Sequence, residues 1–206
     1  MLLTYEKGRK DKIHISVDGE YAMTVDAVFW YTLGIPNKSE IDDEELAELK
    51  STVNSRRAYN KAIDLISRRE HSRKEIITKL SQRGYTEVAQ ETADKLEEKG
   101  YLDDERFANM FAQELKLRRG FGKRRISQEL YLKGIDRDII YDVLENLEED
   151  PQEEIIDIIM RKYPHCLEDE KNKNRAVNGL LRFGYSSYDI RNAMREYEER
   201  CENSFL

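Results

Sequence analysis

The chain has 206 residues, of which 37% are charged and 39% hydrophobic, with two cysteines and a net charge of −7. So polar a composition excludes a single thick core and suits thin helical units that each bury one stripe. The charge balance excludes a generic binder of polyanions, and no apolar run is long enough to span a bilayer.

The opening "MLLTYEKGRKDK" lacks the apolar centre of a signal peptide. Cys166 and Cys201 have no paired spacing, so a reduced cytoplasmic setting is expected. Next, Ile13, Ile15 and Val17 alternate with polar residues, as do Tyr21, Met23 and Val25, around "VDG". This pattern predicts a β-hairpin. A two-residue Asp18-Gly19 turn would put the two apolar rows on opposite faces. A three-residue Val17-Asp18-Gly19 loop pairs Ile15 with Tyr21 and Ile13 with Met23, and is the expectation. A short helix through Phe29, Trp30 and Leu33 should end near Gly34 and Pro36. "SEIDDEELAELK" then gives a helix an acidic first turn.

From there one phrase recurs every fifty residues: "LSQRGY" at 80–85, "LYLKGI" at 130–135 and "LLRFGY" at 180–185. Each reads as the left-handed glycine cap of a helix. The leucine and the residue after glycine form the apolar pair of a Schellman motif: Leu80 with Tyr85, Leu130 with Ile135, Leu180 with Tyr185. Thr86, Asp136 and Ser186 follow as N-caps of the next helix, so the phrase is a joint. Ser72 and Glu75 predict a capping box before Ile76, Ile77 and Leu80. Ala58, Ala62, Ile63 and Ile66 mark a helix upstream; Ala89, Ala93 and Leu96 mark one downstream, closed by Gly100 and Tyr101.

Asp103 or Asp104 caps a helix carrying Phe107, Met110, Phe111 and Leu115, which Gly120 and Gly122 interrupt. Ile126 to Leu130, then Ile139, Val143 and Leu147, complete a second unit. Asp150, Pro151 and Glu153 begin the third, with Ile155, Ile156, Ile159 and Met160 behind them. After Pro164 and the long connection "PHCLEDEKNK", Ala176 to Leu181 and Ile190 to Met194 finish it. The predicted fold is mostly α: an elongated array of three three-helix repeats behind a small segment containing a β-hairpin. The predicted divisions are 1–54, 55–102, 103–149 and 150–206, the last including a C-terminal tail.

No catalytic constellation emerges, and neither a cofactor nor a metal is expected. His14, His71 and His165 are scattered without a second ligand at metal spacing. Gly120-Phe121-Gly122-Lys123 lacks the strand and the Gly-Lys-Ser/Thr ending of a phosphate loop.

Charge is distributed more tellingly. Between Leu115 and Gln128 there is no acid, while Lys116, Arg118, Arg119, Lys123, Arg124 and Arg125 give six positive charges. At the fifty-residue shift, Arg68 and Arg69 correspond to Arg118 and Arg119, and Arg73 and Lys74 to Lys123 and Arg124. Both clusters occupy the joint between the first and second helices of a unit. The matching third-unit positions hold Glu168, Asp169, Lys173 and Asn174, so the pattern mostly lapses there. A single charged run is commonly a solvated helix face. Recurrence at one structural position favours a functional basic edge made of Arg68, Arg69, Arg73, Lys74, Arg118, Arg119, Lys123, Arg124 and Arg125. Phe121 and Tyr131 nearby suit either base stacking or core packing.

"SRREHSRKEIITKLSQRGY", "EEKGYLDDERFANMF" and "RRGFGKRRISQELYLKGI", with "VDGEYAMTV" ahead of them, resemble the RecX family of recombinase regulators. The resemblance covers residues 13–135 well, and the third unit follows the same plan more loosely. Where family members often carry Gly-Pro, this chain has Gly122-Lys123. The resemblance implies a non-enzymatic protein of tandem three-helix repeats lying in the groove of the RecA–single-stranded-DNA filament. It would inhibit or remodel that filament, restraining ATP hydrolysis, strand exchange and filament growth. Arg73 and Lys74 fall in the "HSRKE" motif, and Arg118, Arg119, Lys123, Arg124 and Arg125 in "RRGFGKRR". Expected with it are a monomer, weak direct binding of nucleic acid and no membrane association. The alternative is a stand-alone DNA-binding protein of helix-turn-helix-like repeats, against which stand the net negative charge and the acidic "TEVAQETADKLEE".

Overall fold

The computed structural model describes residues 1–147 and 150–203. The chain forms two compact bodies, Met1–Asp64 with Leu80–Thr92, and Leu65–Lys79 with Ala93–Leu206.

The first body is built on an antiparallel sheet in the order β3-β2-β1-β4: β1 Leu2–Lys7, β2 Lys12–Val17, β3 Glu20–Asp26 and β4 Ser39–Glu40. The hairpin is where it was expected, but its turn is the two-residue one. Val17 pairs with Glu20, and Asp18 and Gly19 both have positive φ, 50° and 83°. The pairing then skips a residue: Ser16 faces Tyr21, while Ile15 faces Met23 and Ile13 faces Val25. A bulge at Ala22 thus reconciles the tight turn, whose twist suits the strands, with apolar rows on one face. The predicted Ile15–Tyr21 and Ile13–Met23 pairs are replaced, and Tyr21 is exposed. Leu3 of β1 joins Ile13, Ile15, Met23 and Val25 in a core covered by Trp30 of α1 (Ala27–Thr32) and by Leu49 and Val53. Those last two lie on α2, Asp43–Ile66, which begins at a reciprocal box. The Glu45 amide donates to Asp42 Oδ1 at 2.8 Å and the Asp42 amide to Glu45 Oε2 at 3.0 Å.

The remaining helices are α3 (Arg73–Ser81), α4 (Thr86–Glu98), α5 (Asp104–Glu114), α6 (Lys123–Leu132), α7 (Arg137–Glu145), α8 (Pro151–Lys162), α9 (Glu170–Phe183) and α10 (Ser187–Asn203). With α2 they number nine among the described residues, and the recurring phrase ends every third one, α3, α6 and α9. Gly84, Gly134 and Gly184 have φ of 84°, 82° and 94°. At each, the next residue's amide reaches back to the phrase's leucine carbonyl: Tyr85 to Leu80 at 3.1 Å, Ile135 to Leu130 at 3.2 Å and Tyr185 to Leu180 at 3.3 Å. These are Schellman caps, and Tyr101 to Leu96 at 2.8 Å closes α4 the same way. Asp136 and Ser186 cap as expected, through the amides of Asp138 and Asp189. Thr86 is instead the first helical residue of α4.

In the second body, Phe107, Ala112, Ile126, Leu130, Ile140 and Val143 form one repeat's core. Ile155, Ile159, Leu180, Ile190 and Met194 lie in the next. Asp103 caps α5 through the Arg106 amide at 2.8 Å, and Asp150 caps α8 ahead of Pro151. A five-residue π turn, Leu115–Arg119, lengthens α5 and ends at Gly120, φ 67°. The second and third repeats meet closely. The Gly122 amide donates to the Phe183 carbonyl at 2.9 Å, and the Tyr185 hydroxyl reaches Glu154 at 3.2 Å and the Gly120 carbonyl at 3.3 Å. A Cβ on Gly184 would overlap the Arg125 backbone, so this approach needs glycine.

Candidate functional site

The two basic clusters straddle equivalent joints. Arg68 and Arg69 follow α2 while Arg73 and Lys74 open α3; Arg118 and Arg119 end the π turn while Lys123, Arg124 and Arg125 open α6. Positive charge suits a helix C-terminus and opposes the dipole at an N-terminus. The first turn of α6 nevertheless holds three cations and no acid. Local helix stability does not account for that choice.

The nine residues separate by what they touch. Arg73 is largely covered: its guanidinium pairs with Asp94 and, at 2.8 Å, with Glu97 of α4. Arg69 pairs with Glu75 at 3.1 Å, and Arg125 with Glu129 at 2.6 Å while lying over the Phe121 ring. Lys74 reaches the Leu132 carbonyl at 3.4 Å, and its methylenes pack where a Cβ on Gly134 would sit. Arg118 is 78% exposed beside Glu114, and Arg68, Arg119 and Arg124 are exposed. Lys123 is half-buried. Lys116, in the same run, is drawn to Glu154 at 2.9 Å.

Glu75 organises the first joint. Its amide donates to Ser72 Oγ at 3.2 Å, half of the predicted capping box. Its carboxylate does not reach back but lies between Arg69 and Lys133, whose Nζ is 2.6 Å away. Burial pushes the Glu75 carboxyl up, but the hydrogen bonds and charges of Arg69 and Lys133 outweigh that and hold it at about 2. Ser72 Oγ meanwhile donates to the Lys133 carbonyl at 2.7 Å, fastening the start of α3 to the end of α6. His71 is buried beside them with Nδ1 2.9 Å from the Arg69 carbonyl, and burial lowers its pKa.

Positive charge continues in the third repeat at positions that the fifty-residue shift does not mark. Arg182 of α9 faces the same groove as Phe121 and Arg124, and Lys162 of α8 lies with its Nζ 4.3 Å from the centre of the Phe183 ring. A signal was present: every joint phrase carries a cation, Arg83, Lys133 or Arg182.

His14 bonds Thr24, and His165 bonds Glu168. Among the described residues no group of three or more His, Cys, Asp or Glu could hold a metal ion, and no helix is long and apolar enough to cross a membrane.

Family models for the first and second three-helix domains of RecX match residues 58–93 and 103–144. Regulatory protein RecX of Caldanaerobacter subterraneus subsp. tengcongensis is 32% identical over 93% of this chain and 96% of its own. That of Chlorobium phaeobacteroides is 34% identical over 69% of this chain and 94% of its own. The fold matches a crystal structure of regulatory protein RecX with a TM-score of 0.70 at 21% identity, covering 94% of this chain and 97% of the other. A RecX structure from Lactobacillus salivarius matches with a TM-score of 0.61 at 22% identity, covering 70% and 97%. With near-full-length relatives above 30% identity and both domain models matched in order, the chain belongs to the RecX family of regulatory proteins.

Proposed function

We propose that this protein docks on the RecA–single-stranded-DNA filament and restrains its ATPase, strand exchange and growth, without chemistry of its own. Membership of the RecX family supports the partner. The observation that carries the surface is the recurrence of exposed cations at equivalent joints of two successive repeats, on a chain of net charge −7. Several such joints engage a repetitive filament at once and gain from multivalency, while the acidic body limits binding to bare DNA. Arg68, Lys74, Arg119, Lys123 and Arg124 are assigned to this role, and Arg69, Arg73, Arg118 and Arg125 serve the same edge while paired with carboxylates. The working units are 1–54, 55–102, 103–149 and 150–206, and the protein acts as a cytoplasmic monomer, in keeping with two free cysteines.

The test is the DNA-dependent ATPase of the cognate recombinase with added protein. Slowing at substoichiometric to equimolar amounts is expected; unchanged ATPase and strand exchange would refute the reading. Equal affinity for bare and recombinase-coated single strands would favour a stand-alone DNA-binding protein.

A further inference from the structure

The groove between the second and third repeats has a lining unlike the rest of this acidic chain. It opens a cavity of about 740 Å3, with Phe121, Tyr163, Leu181 and Phe183 as an apolar floor and Arg124 and Arg182 standing over it. No carboxylate is among the described residues that line it, and neither of these two arginines has a carboxylate partner among them. Gly179 and Gly184 let the Tyr163 side chain and the Arg125 backbone approach where a Cβ would overlap them.

The floor distinguishes between anionic ligands. The Phe121 and Phe183 rings lie 5.9 Å apart at 58°, each packed against its own repeat's core. Each also carries a cation over a face: Arg125 over Phe121 at 5.6 Å and Lys162 over Phe183 at 4.3 Å. With core on one side and a cation on the other, neither ring is the open platform on which an unstacked base would lie. Ring edges and the Leu181 side chain remain, and these suit an apolar side chain. Guanidinium groups bind carboxylates in a bidentate fork. A short acidic segment also meets less repulsion from the net-negative body than a continuous polyanion does.

We propose that this groove captures an acidic protein segment, with carboxylates on Arg124 and Arg182 and an apolar side chain between them on the floor. The inference rests on the filament-docking reading only for which protein presents the segment.

The test is fluorescence anisotropy of the full chain with a short labelled peptide of Asp and Glu carrying one Phe. Saturable binding is expected, weakened by at least about tenfold when the Phe is replaced by Ala and, separately, in the Arg124→Ala/Arg182→Ala variant. Both arginines are exposed, and circular dichroism checks that the variant folds. Equal binding by the Phe-free peptide would reduce the site to general charge attraction and overturn the proposal. So would undiminished peptide binding by the variant, or an oligothymidylate of equal charge binding at least as tightly through the same arginines. Because the peptide assay contains no recombinase, failure of filament docking alone leaves its result unaffected.

Discussion

Lys133 Nζ lies 2.6 Å from Glu75 Oε1, while the carbonyl of the same lysine accepts the hydroxyl of Ser72. The joint that ends α6 is thereby tied to the start of α3 through both backbone and side chain. The Glu75 carboxyl, held at about 2 against an ordinary 4.5, adds stability above pH 4.5 that is lost as pH falls toward 2. Glu75→Gln should cost about 1.5–3 kcal/mol at neutral pH, the range for hydrogen bonds to charged groups, and flatten the acid limb of stability between those values. Urea melts across that range check it; a parallel acid limb in the variant would count against the assignment.

His71 should add a second pH dependence at higher pH. Burial lowers its folded pKa below 6.5, so the unfolded chain takes up the proton first and stability declines as pH falls below 6.5. The His71 ring chemical shifts should titrate with a midpoint below that of the unfolded chain, and a midpoint at or above it would contradict the burial account.

The joint glycines should differ in what a methyl group does to them. At Gly84 nothing lies within 4 Å of an added Cβ, so Gly84→Ala meets only the left-handed penalty, about 1–2 kcal/mol. At Gly184 the methyl also overlaps the Arg125 backbone, so Gly184→Ala should be clearly the more destabilising. Thermal melts of the two variants compare them; equal losses would mean that the two repeats do not meet at Gly184.

Reversing Arg118, Arg119, Arg124 and Arg125 to Glu should weaken filament binding strongly. Melting should shift by little beyond the loss of the Arg125–Glu129 pair, since exposed charges contribute at most about 1 kcal/mol each. If the lost contacts are to phosphate, the salt dependence should become shallower by about 0.7 per phosphate on single strands. A shallow wild-type slope with the same loss of affinity would assign the contacts to recombinase side chains. A folded variant binding like wild type would make the edge a solvated face.

The repeat plan was legible because caps are local: leucine, glycine and the residue after it determine the joint whatever packs around them. The hairpin's position was legible for the same reason. Its register was not, because the Ala22 bulge leaves no mark in an alternating pattern. β1 was missed because only Leu3 and Tyr5 alternate before the charged end, and β4 has two residues. At the basic edge, sequence located the charges but not their partners. Arg73 finds Glu97 and Lys133 finds Glu75 across 24 and 58 residues, separations at which only packing decides who meets whom.

The π turn after α5 acts as a phase adjustment. An α-helix advances about 100° per residue, so one residue more in a turn re-aims everything beyond it by roughly that angle. Leu115 stays in the core, Lys116 meets Glu154, and Leu117 to Arg119 project outward. Gly120 comes to rest where Ile158 leaves little room for a methyl group. Deleting Leu117 would change no charge, yet would turn the cations away and bring a side chain to the left-handed position, φ 67°, that Gly120 occupies against Ile158. In this repeat, the direction in which the charges point is encoded by chain length.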